Sequence, residues 1–391
     1  MDTMADNSGE GESKSVKYWI SIYMELAKAR LSLLVIVTTV VGFVVGTQGT
    51  LNWSALLWTV LGTSLAAVCA NTMNQWLEVH RDGLMARTQN RPLPSGRIGS
   101  THALVLGVVA GVAGTVVLAT MVNAITAILG ALNILLYVAF YTPLKVKSSF
   151  NTVVGAVCGA IPPMMGWTGA TGSLGLGAWV LGAVLFVWQI PHFMALAWMY
   201  REDYQQGGFR MLPAEDPDGV LTGRVAVIYS IAMIPVALSA SLLGLCGWVY
   251  AAGSLVLGLW MLLRSIDMAR ELNHANARRL FLVSIIYLPV LLILMVCDSG
   301  PARTSSVIHP DEFPDLRPVF IHEDLRKSQP GTQGEAAVGV ESEAGSEAAT
   351  AAEPETGAGP KTATEPESDS GAGSESDPEI GPGDVEPVES P

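Results

Sequence analysis

Half of the 391 residues are hydrophobic, only 15% are charged, and the formal net charge is −13. A soluble domain normally carries about a quarter charged residues, so this balance argues against a water-soluble bundle. The acidity also sits in one place: residues 299–391 hold 20 Asp and Glu against 5 Lys and Arg, while residues 1–298 hold 15 against 17. It therefore describes a tail and says nothing of a substrate, and no nucleic-acid partner is expected.

In chain order, residues 1–26 read as a polar cytoplasmic segment. Nine apolar stretches follow between residues 27 and 298, at roughly 27–46, 54–77, 101–119, 122–142, 151–168, 178–200, 224–245, 248–264 and 279–297. Most are near the ~20 residues a helix needs to cross a bilayer. The fold class is accordingly all-α: a polytopic membrane bundle of about nine transmembrane helices. Residues 299–391 are rich in Glu, Ala, Gly, Pro and Ser and cannot bury enough apolar surface to offset their ordering entropy, so they are expected to be a largely disordered, solvated tail. Cys69, Cys158, Cys246 and Cys297 all fall in apolar runs without metal-ligand spacing and read as buried thiols. The opening MDTMADNSGEGESKS lacks the Arg-rich, acid-poor pattern of a transit peptide, which favours a bacterial plasma membrane.

Lys and Arg accumulate in short cytoplasmic loops. Connections 47–53, 119–122, 168–177 and 246–248 contain none. The alternate connections carry Arg81, Arg87, Arg91 and Arg97, then Lys145 and Lys147, then Arg201, Arg210 and Arg224, then Arg264, Arg270, Arg278 and Arg279. The N-terminal segment adds Lys14, Lys17, Lys28 and Arg30, so the N-terminus is expected inside, and nine spans put the C-terminal tail outside.

Polar side chains in membrane helices are costly and mark internal sites. Asn74, Glu78 and Asp82 close the second span at spacings of four, which places them along one slowly drifting helix face over about 12 Å. Such oxygen donors suit Mg²⁺, which shares its ligands with substrate phosphates; they equally suit a helix end facing water. Arg87 and Arg91 follow, flanking Thr88, with a planar fork that matches phosphate oxygens, though topology alone also places arginine here. Lys145 and Lys147 stand in the same position relative to the fourth span. After the sixth span, Glu202 and Asp203 form a second acidic station, followed by Tyr204 and a Gly207–Gly208 pair suited to a mobile cover. His192 lies 11 residues before Asp203, about 16 Å deeper on a straight helix, beside a Pro191 expected to distort it. That histidine suits a haem iron, a porphyrin carboxylate or a structural bond to a neighbouring helix.

The segments ELAKARLSLLVIVTT, NQWLEVHRDGLMARTQNRPLPSG, YTPLKVKSSFNTVVGAVCGAIPPMMGW and PHFMALAWMYREDYQQGGFRML together resemble the haem-directed branch of the UbiA-type membrane prenyltransferases, over roughly residues 20–298. The family's first acidic motif, N-x-x-x-D-x-x-x-D, is met by Asn74, Glu78 and Asp82, with Glu in place of the middle Asp. The M-x-R-T-x-N-R-P-L segment is met from Met85 to Leu93, and the haem branch's PHF and DY residues by Pro191, His192, Phe193, Asp203 and Tyr204. The resemblance implies transfer of farnesyl from farnesyl diphosphate to a haem B vinyl group, with Mg²⁺ as cofactor. It implies Asn74, Glu78, Asp82, Glu202 and Asp203 as catalytic acids and amide, all but Glu202 holding metal. Arg87, Thr88, Arg91, Lys145 and Lys147 would hold diphosphate, and His192 would meet haem. A product of that kind feeds haem A synthase or terminal oxidase assembly. A quinone-precursor prenyltransferase of the same fold and a membrane transporter are the alternative readings.

Overall fold

The computed structural model describes residues 8–47 and 49–299, with side chains from residue 16 onward. The expectation of a disordered tail falls outside these residues. The described chain is helical: α1 (Ser8–Leu26), α2 (Ala29–Gly46), α3 (Trp53–Asp82), α4 (Ser100–Met121), α5 (Ala124–Leu135), a π-helical segment (Leu136–Tyr141), α6 (Thr142–Leu144), α7 (Asn151–Thr171), α8 (Leu176–Met199), α9 (Arg201–Gln206), α10 (Leu212–Glu215), α11 (Val220–Leu242), α12 (Trp248–Arg270) and α13 (His274–Asp298). Nine helices among the described residues are long and apolar enough to cross a membrane, the fourth running from Ala124 through Leu144. They coincide with the nine apolar stretches read from the sequence.

Side chains set several helix starts. Asn52 Oδ1 accepts from Ala55 N at 3.0 Å, Asn123 Oδ1 from Thr126 N at 2.8 Å, and Asn273 Oδ1 from Asn276 N at 2.8 Å, each satisfying an orphan amide of a first turn. Two of these caps start helices on the side without Lys and Arg, and Asn273 on the other. Helix α3 is 30 residues long, about 45 Å at 1.5 Å per residue. The hydrocarbon layer is only ~30 Å thick, so α3 runs on past it, carrying Glu78 and Asp82 beyond residue 77, where hydropathy alone ends the span.

Helix α8 is the most enclosed span, with 72% of its apolar window buried. It packs on α7, α11 and α13, while α2 lies along α7 and α3 along α4. Helices α2 and α7 nearly touch: a Cβ on Gly42 would overlap the Pro163 carbonyl, and one on Gly166 would overlap the Thr39 carbonyl. Small residues permit this approach where lipid offers no hydrophobic drive for helix association. Pro191, expected to distort α8, lies inside it without ending it: the helix continues to Met199. The chain then breaks at Tyr200 and resumes as the short α9. His192 is thus seven residues from its helix end, about 10 Å, rather than 16 Å along one rod to Asp203.

The π-helical segment has a local cause. Pro143 has no N–H and its ring clashes with the preceding turn, and the Thr142 hydroxyl donates to Tyr137 O at 2.8 Å, five residues back. Such bulges re-aim side chains and recur at functional sites. Residues 1–26 were expected to be simply polar; α1 instead buries Ile22 and Leu26 against Leu93, Ile98 and Ala103, closing over the loop between α3 and α4.

Candidate active site

The turn before α2, the loop after α3, the connection after α6 and the segment after α8 meet around the last turns of α3. All three polar residues of the α3 stripe are buried: Asn74 is 0%, Glu78 5% and Asp82 1% exposed. Each is met by a cation from a different segment. Lys28 Nζ donates to Asn74 Oδ1 at 2.6 Å. Lys145 Nζ lies 2.9 Å from Glu78 Oε1 and donates to Oε2 at 3.2 Å. Arg91 Nη1 donates to both Asp82 oxygens, at 2.8 and 2.7 Å. Asn74 also donates from Nδ2 to Thr142 Oγ1 at 3.2 Å, so α6, which follows the π-helical segment directly, is docked on the stripe.

Lys28 was read in the sequence only as a topology signal. It lies between α1 and α2 with φ 47° and ψ 54°, in the left-handed region that non-glycine residues seldom adopt; it is the one described non-glycine residue there. That turn delivers the ammonium to Asn74. Burial, then the charges of Arg91 and Lys145, bring Lys28 down to about 7. Lys145 behaves oppositely: burial pulls it down, but the Glu78 carboxylate outweighs this and holds it above the ordinary lysine range. Its ammonium also stands 4.6 Å from the Tyr141 ring centroid and 5.8 Å from that of Phe209, which favours the cation.

The loop after α3 ties the two acidic motifs together. Arg87 lies over the rings of Tyr200 and Tyr204, at 5.1 and 5.6 Å from their centroids. Arg81 Nη1 donates to Gly207 O at 3.1 Å. Gly208 has φ +66°, which turns the chain so that Phe209 packs edge-on to Tyr204 at 6.2 Å. Arg210 N then donates to Lys145 O at 2.7 Å. These contacts seat the segment expected to be a mobile cover beside Lys145 and the end of α3.

The remaining sequence candidates lie as follows. Thr88 is buried, and its hydroxyl donates to Asp82 O at 2.8 Å, so it closes the end of α3. Lys147 is exposed, its amide donating to Leu144 O at 2.9 Å and its carbonyl accepting from Arg210 Nη1 at 3.3 Å, with no side-chain partner among the described residues. Glu202 is exposed and Asp203 half-buried. Both line a cavity of about 390 Å³ with Trp198, Tyr200, Asn273 and His274. Among the described residues, no three Asp, Glu, His or Cys side chains gather closely enough to hold a metal ion; the stripe is compensated by Lys and Arg. Its donor chemistry nonetheless fits Mg²⁺. Glu78 Oε1 is buried without a directed hydrogen bond and is compensated only by the Lys145 ammonium 2.9 Å away, a carboxylate oxygen of the kind a hard cation takes.

His192, in α8, is clasped by α13. Its Nδ1 lies 2.8 Å from Ser284 Oγ, and its ring stacks on Trp188 and on Phe281, each at 5.0 Å between centroids.

The UbiA prenyltransferase family matches residues 35–287. The protoheme IX farnesyltransferase of Solibacter usitatus (strain Ellin6076) is 43% identical over 285 residues, covering 71% of this chain and 98% of that protein. A structure of digeranylgeranylglyceryl phosphate synthase superposes with a TM-score of 0.62 at 15% identity, covering 72% of this chain and 98% of the other. A UbiA homologue from Archaeoglobus fulgidus, solved with GPP and Mg²⁺, gives 0.51 at 11% identity, over 71% and 99%. With nine apolar helices among its described residues and this extent of match, the chain belongs to the UbiA prenyltransferase family, as a multi-pass membrane enzyme.

Proposed function

We propose that the chain transfers the farnesyl group of farnesyl diphosphate to a vinyl group of haem B, with addition of water, giving haem O and diphosphate. One observation carries this: 43% identity to a protoheme IX farnesyltransferase across 98% of that protein's length, which favours haem over the quinone-precursor and transporter readings. The farnesyl C1–O bond breaks with its electron pair leaving on diphosphate. The terminal vinyl carbon gives its π pair to C1, and water captures the cation formed beside the porphyrin, losing a proton to become the hydroxyl.

The chain's own residues would divide this work. Arg87, Arg91, Lys145 and Lys147 offer positive charge to diphosphate at the end of the bundle, with Lys28 added to that set by its contact with Asn74. Thr88 keeps the last turn of α3 in shape. Asn74, Glu78 and Asp82, with Asp203 from α9, are the donors that would hold Mg²⁺, and Glu202 belongs to the same acidic station. When bound, the metal supplies positive charge to the departing diphosphate. Arg91 and Lys145, held by Asp82 and Glu78 in the free protein, would turn from these carboxylates to the diphosphate oxygens. The apolar helix faces would exclude water until the carbon–carbon bond has formed. His192 would meet the haem. The enzyme would sit in a bacterial plasma membrane with the basic loops cytoplasmic, supplying haem A synthase or terminal oxidase assembly.

Membranes from cells overexpressing the chain should accumulate haem O on pigment chromatography. Unchanged haem composition in membranes that contain the inserted protein, or prenylation of a quinone precursor instead, would overturn this reading.

A further inference from the structure

The hydrogen bonds around Ser284 decide which nitrogen of His192 carries its proton. A serine hydroxyl has one hydrogen to give. Ser284 Oγ lies 2.6 Å from the carbonyl oxygen of Phe281, which can only accept, so the hydroxyl proton is committed there. Toward His192 Nδ1, at 2.8 Å, Oγ therefore accepts, and Nδ1 bears the N–H. In a neutral imidazole the other nitrogen, Nε2, is then a lone-pair donor.

The rest of the arrangement holds that ring still. Trp188 Nε1 donates to the backbone oxygen of Ser284 at 3.0 Å, locking α13 to α8 at this level. Ser284 is 0% exposed and Trp188 5%. Trp188 and Phe281 stack on the imidazole at interplanar angles of 24° and 29°, which fixes its plane. Nε2 has no hydrogen-bond partner among the described residues, and it is not among their sealed polar atoms. It is an oriented, accessible acceptor inside a membrane span, where an unmatched polar atom is costly.

We propose that Ser284 is a positioning residue that sets the His192 tautomer so that Nε2 ligates the iron of the haem substrate. This rests on the haem reading above and deepens it. A histidine at this level has two ways to hold haem, through the iron or through a propionate. A propionate is an anion and needs a donor, and the Nε2 lone pair would repel it. A metal centre needs that lone pair. Metal-bound histidines commonly donate their second nitrogen to an oxygen acceptor, which fixes the ring and raises its basicity; the Ser284 hydroxyl stands in that place.

The test uses the full-length protein in detergent, titrated with haem B, with the iron–histidine stretching band of the ferrous complex recorded by resonance Raman spectroscopy. The wild type should show the band and His192→Ala should lose it. Ser284→Ala should shift the band to lower frequency and weaken haem B affinity by about 10-fold or more, the usual cost of deleting such a partner. Ser284→Thr, which keeps the hydroxyl, should restore both. Farnesyl diphosphate binding should stay unchanged in every variant, which excludes misfolding as the cause. An unshifted band and unchanged affinity in Ser284→Ala would overturn the role of Ser284. Haem B binding with no histidine band in the wild type would overturn iron ligation. Failure of the wild type to bind haem B at all would instead sink the haem reading beneath it.

Discussion

Lys28 Nζ and Asn74 Oδ1 stand 2.6 Å apart across 46 residues of sequence, joining the turn before the first span to the buried stripe at the end of the second. The bond is made from a backbone conformation that costs an L-residue roughly 1–2 kcal/mol. Backbone strain of this sort persists where the surroundings over-determine it, often at functional sites. Lys28→Gly relieves the strain and removes the ammonium together. Its apparent melting temperature should change little, because the strain relieved offsets the bond lost, while turnover should fall about 10-fold or more, the effect of ~1.4 kcal/mol of lost transition-state stabilisation. Near wild-type turnover in Lys28→Gly would show that the ammonium has no part in diphosphate chemistry.

The Glu78–Lys145 pair is buried on both sides, at 7% and 12% side-chain exposure. Removing one partner of such a pair leaves an uncompensated charge and costs about 3–5 kcal/mol, whereas replacing both can be neutral. Glu78→Gln alone should therefore lower thermal stability markedly, and Glu78→Gln with Lys145→Met should recover most of it. Neither protein should regain turnover, because both charges are needed once substrate arrives. Recovery of activity along with stability in the double variant would make the pair purely structural.

What the sequence made legible follows from which forces are local. Nine spans could be read because hydropathy is summed along one segment. The Asn74, Glu78 and Asp82 face could be read because a helix repeats its faces every four residues. The partners of that face could not. Lys145 meets Glu78 from 67 residues away, and Lys28 looked like one more cytoplasmic charge. The sequence pointed to an acid-to-metal site; the fold pairs each of the three stripe residues with a cation first. Ser284 was equally hidden, since a serine in an apolar span becomes informative only when its one proton has been traced.

The orientation of the bundle can be checked by labelling. The Lys- and Arg-free connection between α7 and α8 contains Gly172, at φ +69°, and the basic loop between α3 and α4 contains Ser95. A cysteine at Gly172 should react with an impermeant thiol reagent added outside, and one at Ser95 should react only after the membrane is opened. Cysteine has a strain penalty at that φ, so Ser173→Cys serves as the companion. Labelling of Ser95→Cys and Ser173→Cys from the same side would overturn the alternation of basic and neutral loops.

The strongest demand on the proposed mechanism falls on Asp82. Both of its oxygens are held by Arg91 Nη1, and diphosphate would bring further negative charge to the same end of α3. A carboxylate so placed opposes an anionic substrate unless another cation enters with it. Asn74, Glu78, Asp82 and Asp203 would hold Mg²⁺, which would supply that positive charge, and Arg91 would then meet phosphate oxygens. Asp82→Asn keeps the shape and removes the charge. It should lower turnover by orders of magnitude at saturating farnesyl diphosphate, with excess Mg²⁺ restoring it only in part. Asp203→Asn should behave alike, and the double variant should cost less free energy than the two singles summed, because both would act on one metal–diphosphate unit. Thorough chelation should abolish wild-type turnover and restored Mg²⁺ should return it. Full activity without divalent metal would leave the stripe as a structural device for docking Lys28, Lys145 and Arg91, and the metal assignment would fall with it.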